Sequence, residues 1–171
     1  MHTAIRVRSL VLAAAAIALT ASAASAIGPL QLYSTTPCRI VDTRWQPPGT
    51  NRAPSLVNMG TRNFQVTGLC GVPSTAKAAV LNVTIADPTH TGYLIVYPYN
   101  TTRPLASNIN WQVGEYALAN GAITPITFGS LNVAVFSELY GAPSGGGGVN
   151  VILDVTGYFD CPPGTNPTTC Q

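Results

Sequence analysis

Apolar and polar residues alternate with period two in many short runs along the chain, and no segment sustains the 3.6-residue period of an amphipathic helix. The clearest run is Leu81-Asn82-Val83-Thr84-Ile85. The turn-forming stretch Asp87-Pro88-Thr89-His90-Thr91-Gly92 follows, and then a second run from Tyr93 to Tyr97 that Pro98 closes. Together they predict a hairpin. Further strands are predicted over Leu30–Tyr33, Arg39–Asp42, Arg62–Val66, Ser107–Trp111, Tyr116–Ala119, Ala122–Ile126, Leu131–Phe136 and Val149–Val155. The 16 glycines and 14 prolines fall largely between these runs, where tight turns need them.

About eight to ten short antiparallel strands without a helix predict an all-β domain, a β-sandwich or a closely related barrel. Its buried face is expected to hold Leu81, Val83 and Ile85, Ile109 and Trp111, Leu131, Val133 and Val135, and Val151, Leu153 and Val155. The stretch from Trp45 to Met59, polar and broken by proline, predicts a long surface loop. Leu131-Asn132-Val133-Ala134-Val135 echoes the run at Leu81, which two strands of similar composition explain without a duplication.

The first residues break the β pattern. Arg6 and Arg8 precede an apolar core from Leu10 to Leu19, and Ala24-Ser25-Ala26 has the small-x-small form of a cleavage site. This predicts a signal peptide over 1–26, cut after Ala26, since the apolar run falls short of the roughly 20 residues a membrane span requires. The domain then covers 27–160, and 161–171 is a short tail. Removing the leader changes the charge as well. The formal +2 is the excess contributed by Arg6 and Arg8, so the remainder is formally neutral. No basic surface is left to recruit nucleic acid or acidic membranes. Charged residues are 8% of the chain against roughly 25% in ordinary soluble domains, so serine, threonine, asparagine and backbone must wet the surface.

Cys38, Cys70, Cys161 and Cys170 make an even set in an exported chain, which reads as two disulfides with three possible connectivities. Cys38–Cys70 and Cys161–Cys170 are favoured, the latter around Pro162-Pro163-Gly164 and Pro167. No metal spacing competes with this reading, and no cofactor motif is found: no Lys-Ser or Lys-Thr follows the glycines at 145–148.

Equipment for catalysis is sparse. His90 is the one histidine after the leader, and a hydrolase would have to use it with Asp87. A solvated turn residue is the simpler reading. A glycosidase needs two converging carboxyl groups, and the spacing of Glu115, Glu138, Asp42, Asp87, Asp154 and Asp160 singles out no pair. Asp42 and Arg44, two apart and hence expected on one strand face, are read as a structural tether in preference to a ligand clamp. Trp45, Tyr93, Tyr97, Tyr99 and Trp111 could offer flat faces to sugar rings, although packing accounts for many such residues.

Pro37-Cys38-Arg39-Ile40-Val41-Asp42-Thr43-Arg44, the run from Cys70 to Ala78, Leu81-Asn82-Val83-Thr84, the run from Arg103 to Trp111 and Asp154-Val155-Thr156-Gly157-Tyr158-Phe159 occur in this order over about 30 to 160. In that combination the chain resembles a domain recurrent in secreted bacterial proteins, often appended to hydrolases or repeated in surface proteins. The resemblance implies pairing of Cys38 with Cys70 and an accessory or surface role, and it supplies no catalytic residue. The expectation is a secreted non-enzymatic structural or interaction module at the bacterial cell surface or outside the cell, with self-association or cell-wall polysaccharide as the candidate partnerships. A carbohydrate- or cell-wall-binding module is the alternative, and a hydrolase using His90 and Asp87 comes third.

Overall fold

The computed structural model describes residues 29–165 and Cys170, so the leader at 1–26 and tail residues 166–169 and 171 lie outside the described residues. Eight antiparallel strands form: β1 (Gln31–Asp42), β2 (Gly60–Phe64), β3 (Ala78–Ala86), β4 (Gly92–Pro98), β5 (Ile109–Trp111), β6 (Ala117–Pro125), β7 (Val133–Leu139) and β8 (Asn150–Asp160). They build two four-stranded sheets, β1-β8-β3-β6 and β2-β7-β4-β5, and no helix occurs among the described residues. This is a β-sandwich. The period-two pattern produces it directly, because one face of each sheet must leave water. Leu81, Val83, Ile85, Val151, Leu153 and Val155 meet Leu94, Val96, Ile109, Trp111, Val133 and Val135 in one buried core.

Several boundaries differ from the sequence reading. Leu30–Tyr33 and Arg39–Asp42 fuse into β1, whose irregular registers between Ser34 and Cys38 and between Arg39 and Val41 break the alternation that would mark one strand. Tyr116–Ala119 and Ala122–Ile126 likewise fuse into β6, running through Gly121. Leu131 is half-buried and precedes β7. The stretch 45–59 is a connection, but Ala53, Leu56 and Asn58 are buried in it, and Leu56 bridges to Val149.

The expected hairpin does not form. β3 pairs with β6 and β8, whereas β4 pairs with β5 and β7 in the opposite sheet. The turn at Asp87–Gly92 is long enough to cross the roughly 10 Å between sheets. β4 is also apolar on both faces: Leu94 and Val96 enter the main core, while Ile95 and Tyr97 join Ala134 and Phe136 in a second cluster on the outer side. Gly92 makes the entry to β4 possible, since a Cβ there would strike the Glu138 carbonyl oxygen and stand 2.9 Å from the Trp111 ring. The resemblance between the runs at Leu81 and Leu131 carries no common role, because β3 and β7 occupy different sheets.

Among the connections, only that from β4 to β5 stays within one sheet. The loops that cross must satisfy backbone groups that no ladder reaches, and asparagines do so. Asn132, wholly buried, accepts from the backbone N–H groups of Val66 and Thr67 and donates to the carbonyls of Thr127 and Gly129. Asn51 donates to the carbonyls of Ile40 and Gln65, and Asn58 accepts from the N–H of Leu139.

Both favoured disulfides are present, Cys38–Cys70 and Cys161–Cys170. The first joins β1 to the segment running from β2 in the other sheet, closing a separation of 32 residues, and both its cysteines pack on the main core. Loop entropy assigns it about 3–4 kcal/mol. The second spans 9 residues beyond the last strand. Cys38→Ser/Cys70→Ser is therefore expected to reduce the unfolding free energy by that amount in denaturant melts, and Cys161→Ser/Cys170→Ser to reduce it clearly less. Equal losses in the two double variants would contradict the ranking.

Candidate functional site

At the end of β1 the chain turns sharply, and Asp42 makes the turn. Its Oδ1 accepts from the backbone N–H of Arg44 at 3.1 Å, an Asx turn. The turn aims the Arg44 guanidinium back onto the same carboxylate, with Nε 2.9 Å from Oδ1 and an Nη 2.7 Å from Oδ2. Arg44 thus lies in the turn and not on the strand, contrary to the expectation of a shared strand face. Asp42 is 1% exposed, and the Arg44 guanidinium holds its carboxyl below the ordinary carboxylate range. Arg39 reaches Asp42 from the other side at 3.3 Å and grips Asp154 on β8 with two bonds, of 2.8 and 3.3 Å. Asp154, above all, holds the Arg39 guanidinium in its charged form.

The strand registers extend this network across the sheet. Arg39 stands opposite Asp154, Asp154 opposite Asn82 and Asn82 opposite Gly121, so these four occupy one row on the outer face, one from each strand. A cleft of about 800 Å³ overlies the row's first part, lined by Arg39, Asp154, Asn82, Thr156, Pro37 and Trp45. A second depression of about 520 Å³ shares Asn82 and Thr156 with it and continues over Gly121 and Ile123. Trp45 is fixed by its backbone, with its N–H to the Asp42 carbonyl and its carbonyl to the Ala53 N–H. Arg52 lies over its ring at 5.4 Å and lines with it an adjoining smaller cavity of about 330 Å³, and Trp45 borders the larger cleft as well.

The other aromatic candidates do not join Trp45. Trp111 is a core residue whose Nε1 donates to the His90 carbonyl. Tyr93 and Tyr97 lie on the outer face of the opposite sheet, where Tyr97 is buried and Tyr93 donates its hydroxyl to Glu138 at 2.6 Å, a bond that raises the phenol's pKa. The Tyr93 ring is tilted by 50° to Phe136 and by 49° to Tyr140, so no flat platform forms there. Tyr99 is half-buried just beyond β4.

Proton-transfer groups are scattered. The Nδ1 of His90 meets the Thr89 hydroxyl at 2.8 Å, and no hydrogen bond joins the ring to Asp87 among the described residues. Glu115 accepts from the Gln112 N–H, Asp160 from the Thr75 hydroxyl, and Glu138 from Tyr93. Asp42 and Asp154 do converge, but on Arg39, and Asp42 is shifted away from the raised pKa a general acid requires. No group of three or more metal-ligating side chains occurs among the described residues.

Arg39, Asn82, Asp154 and Thr156 are not singled out by sequence reading. Their signal is a polar side chain at the centre of an otherwise apolar alternation, as in Leu81-Asn82-Val83 and Leu153-Asp154-Val155. The row they form becomes visible only when the strand order places β8 between β1 and β3.

Arg44→Ala removes the bidentate partner of a buried carboxylate. Arg44 is 37% exposed and Arg39 remains, so the expected loss is about 1–3 kcal/mol in a denaturant melt. The depressed carboxyl pKa fixes the pH dependence. The contribution is complete at neutral pH and is lost as pH falls through the unfolded value of about 3.9 toward the lower folded one. Stability is expected to fall more steeply below pH about 4 in the parent than in Asp42→Asn; parallel acid slopes, or an unchanged midpoint in Arg44→Ala, would contradict the tether.

Compared with protein-family models, with curated proteins and with solved structures, the chain matches none.

Proposed function

We propose that the chain is exported and acts outside the bacterial cell as a non-enzymatic module that docks on surface material. The leader at 1–26, the two disulfides and the neutral, charge-poor composition after the leader support export. No helix among the described residues is long and apolar enough to cross a membrane. The motif resemblance points the same way. The observation that carries the docking role is how the polar groups are distributed. His90 and the glutamates are spent one by one in local bonds, while Arg39, Asp154 and Asn82 share one open sheet face.

Self-pairing is a lesser reading of the same module. The stretches Leu131–Phe136 and Val149–Val155 fall largely in β7 and β8, which are inner strands, so neither presents an edge to a second copy. The uncharged edge of useful length is β6, nine residues long and carrying Gly121.

The full chain, expressed with its leader in a bacterial host, is expected outside the cytoplasm, oxidised and starting at Ile27. It should bind isolated cell envelopes saturably and release no sugar or peptide product. Cytoplasmic retention in the reduced form would contradict the reading. So would product release that disappears in His90→Ala.

A further inference from the structure

The outer face of the β1-β8-β3-β6 sheet is not a uniformly solvated surface. Its central row carries a guanidinium, a carboxylate, a carboxamide and then no side chain at all, in the order Arg39, Asp154, Asn82, Gly121. Three strand spacings separate the ends of the row, about 14 Å. The two depressions above it adjoin at Asn82 and Thr156, and together they make a shallow open channel across the face, with the Trp45 indole bordering one end and the exposed aliphatic side chain of Ile123 the other. Gly121 presents no side chain to this surface, and a Cβ built there would meet open space, with no atom within 4 Å. The glycine is not required by backbone geometry, since its φ lies outside the left-handed region.

The chemistry of the channel narrows what it holds. Arg39 and Asp154 neutralise each other, as do Arg44 and Asp42 beside them, so the row offers no net charge to an acidic polymer. The first pair nevertheless keeps hydrogen-bonding capacity toward solvent: the Arg39 side chain is 40% exposed and that of Asp154 21%. Asn82 contributes a donor and an acceptor, and among the described residues its carboxamide is held by a long 3.3 Å bond to the Thr84 hydroxyl. A fixed carboxylate and guanidinium with a carboxamide beside a flat apolar ring match a molecule with vicinal hydroxyls on its rim and C–H groups on its face. An extended peptide would instead pair along a strand edge, whereas this row runs across the strands, from the edge strand β1 to the edge strand β6.

From this geometry we infer that the channel is a binding site for an uncharged linear polysaccharide, crossing the four strands with one sugar ring on Trp45 and hydroxyls on Arg39, Asp154 and Asn82. The inference rests on the docking reading above and gives it a ligand class. Trp45 is a stacking contact, Asp154 and Asn82 are hydrogen-bonding contacts, and Asp42 with Arg44 are positioning residues that hold Arg39 and the Trp45 turn in place.

Affinity electrophoresis of the disulfide-bonded protein tests the site, in gels containing a neutral β-glucan, a neutral glucomannan, hydroxyethyl chitin or polygalacturonate. Retardation by at least one neutral polymer is expected, with at least tenfold weaker binding in Gly121→Tyr, Trp45→Ala and Asn82→Ala. Tyr140→Ser, on the opposite sheet, should bind as the parent does. Thermal melts run beside the gels identify any variant that misfolds, and the comparison is made among those that fold. Retardation by polygalacturonate alone would overturn the inference, as would full binding in folded Gly121→Tyr or no retardation by any neutral polymer. Cell envelopes that bind the protein only until protease treatment would point to a peptide partner: the glycan site would fall and the docking role would stand. Envelopes that never bind the protein would remove both.

Discussion

Asp42 is the constraint on which this end of the molecule depends. A carboxylate almost wholly withdrawn from water must be fully compensated, and three groups compensate it: the Arg44 backbone N–H, the Arg44 guanidinium and Arg39. Satisfying that one charge sets the turn after β1, directs the chain toward Trp45 and pins Arg39 where it can also grip Asp154. The fastening of the first strand and the layout of the outer sheet face are thus one arrangement. A single substitution at Asp42 would disturb both.

The rest of the sandwich is held by means suited to a chain with few charges. Nearly every connection crosses between sheets, which leaves strand ends without ladder partners. Asn51, Asn58 and Asn132 stand in for the missing backbone, and Arg62 does the same by donating to the carbonyls of Gly49, Thr50 and Pro54. Burial lowers the Arg62 pKa, and the side chain also stacks over Phe64. Each of these bonds contributes about 0.5–1.5 kcal/mol net, but leaving the same group buried and unpaired would cost more. The Cys38–Cys70 bridge ties β1, where it is most irregular, to the connection between β2 and β3.

The alternation at Leu81–Ile85 and at Val151–Val155 announced both the strands and their buried faces, because burying one face of a pleated sheet leaves that imprint on the sequence. Partnership between strands left no such mark. Asp87–Gly92 reads equally well as a hairpin turn or as a crossing between sheets, and only the two-sided burial of β4 distinguishes them. The bulges of β1 hid its continuity for the same local reason. Trp45 and the Asp42–Arg44 pair were legible as residues. The channel was not, since it is assembled from four strands whose order β1-β8-β3-β6 the sequence does not spell out. The clustering of aromatics expected of a sugar platform is absent: Trp111 lies in the core and Tyr93 and Tyr97 on the far sheet.

That the Asp42–Arg39–Asp154 arrangement shapes one ligand channel on one sheet is tested most directly by nuclear magnetic resonance. A neutral oligosaccharide would be titrated into the isotopically labelled, disulfide-bonded protein while backbone amides and the Trp45 indole N–H are followed. The predicted result is saturable shifts confined to Trp45, Arg39, Asn82, Gly121 and Asp154 and their neighbours. Saturable shifts on the face bearing Tyr93 and Tyr140, or none at millimolar ligand, would contradict it.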